Sequence, residues 1–234
     1  MGPMRALTWL WRGARRLADA RARSEIATRR RHRDRIHQDV TLTRIDRYPR
    51  LFAAARDLLA DRPRPTLLSY GCSSGEEVVS LRGYFPDADI VGAELNCAML
   101  AACARWPHDP RTRFLASDDA GVAAAGPYDA IFCMAVLQRR PHGVENEGRE
   151  TIADFYPFAL FDRQVAELAA LLKTGGLLIV EHAQYLVTDA SAAPLLEPVG
   201  DRGVWPAKGP RFDRDGRRIV PQPTIARLYR RRAA

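Results

Sequence analysis

The run Thr66-Leu67-Leu68-Ser69-Tyr70-Gly71-Cys72-Ser73-Ser74-Gly75-Glu76-Glu77 constrains this 234-residue chain more than any other segment. Apolar residues give way abruptly to a small-residue turn, and a new periodic segment opens on two glutamates. A strand that breaks into a turn and then a helix is the expected structure. Small residues let a ligand approach the main chain, and the free N–H groups at the mouth of the helix meet a carboxylate or phosphate. A second strand, Ile90-Val91-Gly92-Ala93-Glu94, ends on a carboxylate at the spacing where a βαβ unit carries a ribose-binding acid. Together they describe a nucleotide-type cofactor site.

The strand-and-helix alternation continues along the chain. Arg113 to Asp119 reads as a third strand ending in carboxylates, and Pro127 to Met134 as a fourth that is apolar enough to be buried on both faces. From Leu171 to His182 a helix is expected to end on Gly175-Gly176 and a fifth strand to follow. Such alternation predicts a parallel sheet covered by helices on both sides. Near the end, Arg211 to Arg214 and Arg217 to Val220 flank an Asp215-Gly216 turn as a hairpin, and Thr224 to Arg230 supplies one last strand.

A dinucleotide-binding oxidoreductase is the competing reading of the first turn. Its G-x-G-x-x-G fingerprint needs glycine where this chain has Ser73, and Glu76 at the helix mouth repels a pyrophosphate. A ligand with a cationic sulfonium and an ammonium suits acidic surroundings better. On these motifs the chain resembles the class I S-adenosylmethionine-dependent methyltransferases. The resemblance implies an α/β, Rossmann-like fold with a mostly parallel seven-stranded sheet, an antiparallel last strand and here an N-terminal helical extension. It implies S-adenosyl-L-methionine as cofactor, framed by Tyr70, Gly71, Cys72, Ser73 and Gly75, with Glu94 and its neighbour Leu95 at the ribose. Asp118 or Asp119 is then the partner of the adenine amine, with a helix-capping pair as the alternative for these two, and Met134 lies near the adenosine.

Shorter likenesses, in Gly71 to Glu77, Ile131 to Leu137 and Leu172 to Leu178, are to chemotaxis-receptor glutamate methyltransferases. The long insertion and arginine-containing substrate signature of that family are absent. Protein carboxyl methylation is therefore the alternative, as is a catalytically silent adaptor of the same fold. The expected function is methyl transfer to an acceptor, a small molecule in preference to a macromolecule. That acceptor is expected beyond the ends of the fourth and fifth strands, in the long connection Gln138 to Phe158. His142, Glu181 and His182 are the candidate catalytic groups, a base being needed only if the acceptor must lose a proton.

The remaining features set boundaries. Four cysteines without C-x-x-C spacing read as reduced thiols of a cytoplasmic protein, and no metal-ligand spacing is present. No stretch approaches the ~20 apolar residues of a membrane span. The net charge of +8 is almost wholly arginine, only Lys173 and Lys208 being lysine, so base composition explains it as readily as nucleic-acid binding. Residues 1–38 form a basic helical extension and 39–234 the cofactor-binding domain. Leu7, Leu10, Trp11, Ala14, Leu17 and Ala18 define a basic amphipathic helix, for which packing on the domain or a partner is the reading and an anionic membrane surface the alternative. Arg21 to Arg35 follow with few apolar positions and no interleaved aromatics, which disfavours nucleic acid. Residues 1–35 are accordingly expected to be dispensable for cofactor binding while covering the acceptor. Ile45, Tyr48, Leu51, Phe52, Ala55, Leu58 and Leu59 give a further amphipathic helix that packs on the sheet.

Overall fold

The computed structural model describes residues 20–38, 41–199, 204–206 and 209–233. The amphipathic helix expected within residues 7–18 lies outside them. Helix α1 (Ala20–Arg31) and helix α2 (Pro49–Leu58) precede β1 (Thr66–Tyr70), α3 (Glu76–Tyr84) and β2 (Asp89–Glu94). Then come α4 (Cys97–Ala102), β3 (Thr112–Ala116), α5 (Ala120–Ala124), β4 (Tyr128–Met134), α6 (Pro141–Asn146), α7 (Phe158–Ala170) and β5 (Leu172–Glu181). The last strands are β6 (Leu196–Pro198), β7 (Val204–Pro206), β8 (Thr224–Ala226) and β9 (Leu228–Arg231).

Seven strands form one sheet in the order β3-β2-β1-β4-β5-β9-β6, with β1 to β5 parallel and β9 antiparallel to both β5 and β6. This is the expected architecture, including the antiparallel last strand. Every residue of β4 is buried, as its unbroken apolar run requires of a central strand. The order reverses between β1 and β4, so the carboxyl ends of β1, β2 and β4 border the crevice where open sheets of this kind take ligands. Apolar layers lie on both faces. Leu160, Phe161, Val165 and Leu168 of α7 cover one, and Leu51, Phe52 and Ala55 of α2 cover the other beside Val78 and Leu81 of α3.

Three local expectations are corrected. Helix α2 begins at Pro49, because proline is preorganised for a first helical turn, and this leaves Ile45 outside the helix with 49% of its surface exposed. Helix α7 stops at Ala170 rather than on the glycine pair. Gly176 instead lets β5 pass close to β4: a Cβ there would sit 2.9 Å from the carbonyl oxygen of Tyr128. The final strand is two, β8 and β9, broken at Arg227, whose side chain turns fully inward. The hairpin is present, with Asp213 N donating to the Arg217 carbonyl at 2.9 Å and Gly216 at φ 75°. No helix of the described residues is long and apolar enough to cross a membrane.

Candidate functional site

The turn after β1 is drawn across to β2. The amides of Gly71 and Cys72 both donate to the Ala93 carbonyl, at 2.8 and 3.0 Å. That path requires positive φ at Gly71 (77°), Ser73 (51°) and Gly75 (93°), which glycine adopts without cost and serine does not. Glu94 ties the two strand ends together. One carboxylate oxygen accepts the Ser73 amide and the other the Asn96 amide, each at 2.8 Å. Burial raises the Glu94 pKa, and the amides of Asn96, Ser73 and Leu95 oppose that shift. Each oxygen retains a second acceptor position for a ligand hydroxyl.

Around this turn runs a cleft of about 980 Å³, counted to its open mouth. Tyr70, Gly71, Cys72, Ser73, Glu94, Leu95 and Met134 all line it, so seven of the ten residues expected at the cofactor are brought together. Gly75, Asp118 and Asp119 are not among its lining residues. Gly75 is held instead by Trp106, whose Nε1 donates to the Ser74 carbonyl at 2.8 Å; a Cβ on Gly75 would come within 2.6 Å of that nitrogen. Asp119 caps α5, accepting the Gly121 amide at 2.6 Å, and Asp118 lies 3.9 Å from His32. Ser117 takes the place on the cleft wall.

The two glutamates that open α3 divide their tasks. Glu76 turns outward to Ser74 and Arg105, whereas Glu77 lines the cleft and accepts a 2.7 Å hydrogen bond from Ser69 Oγ. Burial pushes the Glu77 pKa up to about 8, with Ser69 and Arg47 opposing. The sequence reading weighed Glu76 and missed Glu77. The doubled acid at a helix start was the available signal, since a hundred degrees of rotation separates neighbouring helical residues and places one inside when the other is outside.

The basic segment closes the cleft. Thr28 and Ile36 are buried and line it together with Glu25, Arg35 and His37. Ser24 Oγ donates to Asn96 Oδ1, the same oxygen that caps α4 by accepting the Ala98 amide. His37 is buried, its Nδ1 2.8 Å from Tyr156 Oη, and burial with the nearby Arg139 pushes its pKa down to about 3. Arg139 holds the carbonyls of Ile36 and His37, and Arg163 that of Asp34. An arm with little apolar surface thus docks through main-chain carbonyls, which sequence periodicity does not register. Glu25, Thr28 and Arg35 thus form part of the cleft wall itself, which sets the geometry against the expected dispensability of residues 1–35 for cofactor binding, and among the described residues none of 20–35 lines the second cavity.

A second cavity adjoins the first, sharing Gln38, Leu42, Arg47 and Ala135 with it. His142 and His182 both line it. His142 is exposed, on α6; His182 stands just past β5 with φ 58°, its ring 5.9 Å from that of Tyr48. Glu181 lines neither cavity. It is buried and ion-paired to the fully buried Arg227, which commits its carboxylate to holding the break between β8 and β9. Among the described residues no group of three or more His, Cys, Asp or Glu side chains is placed to hold a metal ion.

No protein-family profile matches the chain. Two curated relatives are trans-aconitate 2-methyltransferases. The one from Deinococcus radiodurans is 30% identical over 149 residues, 60% of this chain and 50% of that protein. The one from Azoarcus sp. is 34% identical over 91 residues, 38% of this chain and 35% of that protein. The chain therefore spans half or less of the curated relatives it matches. Similar solved structures include the plantazolicin methyltransferase BpumL in complex with SAH (TM-score 0.42, 13% identity, 70% of this chain and 54% of that one). Another is the sugar N-methyltransferase KedS8 from Streptoalloteichus (TM-score 0.38, 21% identity, 67% and 57%). The resemblance read from the sequence is borne out in both respects: the sheet is seven-stranded and mostly parallel with an antiparallel last strand, and the curated relatives are methyltransferases.

Proposed function

We propose that this chain, which has the class I methyltransferase fold and methyltransferases as its curated relatives, moves a methyl group from S-adenosylmethionine to a small-molecule acceptor. The observation that carries the reading is the pair of acids in one cleft: Glu94, fixed by two amides with acceptor positions to spare, and Glu77, deep beside the Gly71-Cys72-Ser73 turn. Glu94 receives the ribose hydroxyls. Glu77 receives the ammonium of the methionyl group, and pairing with that cation favours the ionised form that burial disfavours. Leu95 and Met134 pack against the adenosine, and Ser117 rather than Asp118 or Asp119 faces the adenine.

The bound cofactor supplies a methyl group already activated by its sulfonium, which leaves alignment of the acceptor as the protein's main contribution. The second cavity meets the cofactor cleft at Arg47 and Ala135, and we assign the acceptor to it, with His182 and His142 along its wall. The curated relatives are named for trans-aconitate, and a small acceptor of that kind lies within this reading. A cytoplasmic setting, drawn from four unpaired cysteines, belongs to the same proposal.

Isothermal calorimetry of the full chain with S-adenosylhomocysteine, 5′-methylthioadenosine and NAD tests it. Saturable binding of the first, weaker binding of the second for want of the amino-acid moiety, and none of the third is the expected outcome. NAD binding without S-adenosylhomocysteine binding would overturn the reading.

A further inference from the structure

We infer that the methyl acceptor carries an apolar hydrocarbon arm, and that this arm lies in a third cavity continuous with the second. The inference rests on the proposed function, which puts the acceptor in the second cavity, and goes beyond it by adding a further binding site and the chemical class it takes. The third cavity holds about 890 Å³, counted to its open mouth, and shares His182, Ala183 and Arg211 with the second. Cofactor cleft, acceptor cavity and third cavity therefore run in series, each joined to the next by the residues they share. An acceptor with its reacting group beside the cofactor has the third cavity as its continuation.

The walls set the chemistry of the occupant. Val180, Val187, Tyr185 and Tyr229 line the cavity and are buried, and Leu186 and Ile225 line it half-buried. Both tyrosine hydroxyls are spent on main-chain carbonyls, Tyr185 on that of Tyr156 and Tyr229 on that of Ala226 at 2.9 Å. Thr188 and Thr224, the threonines of the lining, are exposed and so belong to the mouth. What these walls turn inward is carbon surface, with His182 and Arg211 at the joint to the second cavity. Small-molecule sites have this composition, mostly apolar with a few polar groups that fix orientation. Burial of hydrocarbon is what such walls reward, at a rate set by the apolar area removed from water.

The fold holds this space open. Strand β9 accompanies β5 as far as Val180, whose amide donates to the Arg227 carbonyl at 2.8 Å. At Arg227 the chain breaks, and β8 leaves the seven-stranded sheet to pair with β7 in a ribbon of its own. The end of β5 on one side and β8 on the other then become walls of the cavity. The break is held by the buried ion pair of Arg227 with Glu181. Apolar side chains of similar volume often stabilise a fold as well as such a pair or better, so closing the gap by packing was open to this chain.

Normal-chain alcohols test the cavity, and labelled transfer tests the acceptor. The full chain, saturated with S-adenosylhomocysteine, is titrated calorimetrically with 1-butanol, 1-hexanol and 1-octanol. Affinity is expected to rise about fourfold per methylene. The rise should vanish in Thr188→Trp, which fills the cavity from its mouth, and in Ile225→Asp, which puts a charge on its wall. Neither residue lines the cofactor cleft, so S-adenosylhomocysteine affinity should stay within about threefold of wild type and report folding; either variant suffices if the other does not fold. The same proteins then receive methyl-tritiated S-adenosylmethionine with the organic-solvent extract of cells and, separately, with the aqueous extract. Expected is label in a product from the organic extract that falls at least about tenfold in the variants. An alcohol series that is flat in the wild type, or as steep in the folded variants, overturns the inference. So does label from the aqueous extract alone, label from neither extract, or label that the folded variants leave unchanged. Failure of the wild-type protein to bind S-adenosylhomocysteine is a different result and defeats the cofactor reading itself.

Discussion

The ends of β2 and β5 each carry a carboxylate, half-buried Glu94 and buried Glu181, and both stand out in the sequence as functional candidates. Their surroundings separate them. Glu94 is met by main-chain amides from the β1 turn and from its own strand end, which orient it while leaving its outer lone pairs open to the cleft. Glu181 is met by a guanidinium from β9's edge, and the pair is sealed from solvent. Amide donors carry no net charge, so the first carboxylate remains available to a ligand, whereas an arginine neutralises the second. Position at a strand end therefore offers a site, and the partner decides whether it is used for binding or for folding.

The comparison breaks most visibly at Arg227. Replacing it with methionine strands the Glu181 carboxylate without its buried counter-charge, and a loss of about 3–5 kcal/mol of unfolding free energy is expected, measured by denaturant titration. If Arg227→Met unfolds at the wild-type midpoint, Glu181 is not held as described. Glu94→Ala should do the opposite: fold, but lose roughly 1.5–3 kcal/mol of cofactor binding for a charged hydrogen bond, about tenfold or more in affinity for S-adenosylhomocysteine. Unchanged affinity in the folded variant would move the ribose contact elsewhere.

Glu77 sharpens the contrast through pH. Its pKa stands at about 8 in the folded protein against an ordinary 4.5, so the folded state holds a proton that the unfolded chain releases. Its contribution is fully present below the lower value and is lost as pH rises toward the higher one. Stability of the ligand-free protein should decline across that interval, and Glu77→Gln should flatten the decline. The same variant should lose about tenfold in S-adenosylhomocysteine affinity while binding 5′-methylthioadenosine as before. The smallest effect is expected at Ser24→Ala, which removes the contact from the arm to the Asn96 cap: about 0.5–1.5 kcal/mol, a few-fold weaker S-adenosylhomocysteine binding. Identical binding there would leave the arm as cover alone.

Much of the cofactor end was legible because its residues are contiguous. The turn from Tyr70 to Ser73 and the acid at Glu94 are separated by a single helix, and the hydrogen bonds that join them are local consequences of a βαβ unit. Asp119 takes the helix-cap alternative that an acid after a strand always offers, at the Gly121 amide, and neither it nor Asp118 lines the cleft. Gly75 needs its positive φ whether or not a ligand approaches, and the crowding around it comes from Trp106, thirty-one residues on. On the second cavity the sequence singled out His142 and His182 but neither Arg47 nor Arg211. Arg47, His142, His182 and Arg211 come from four separate stretches, and only folding places them around one cavity.

The sequence by itself determined the alternation of strands and helices, the parallel core and the turn after β1, since each follows from local periodicity, glycine conformation and the handedness of βαβ connections, while the antiparallel last strand was implied only by the family resemblance. Tertiary structure decided which charges serve binding and which serve the fold. It took Glu181 for Arg227, turned Glu77 inward and Glu76 outward, and laid a nearly apolar-free arm over the cleft through carbonyls that Arg139 and Arg163 hold. The physical reason is that periodicity reports burial of side chains, while the fate of a charge depends on the nearest opposite charge or free amide in space, which neither composition nor spacing along the chain contains.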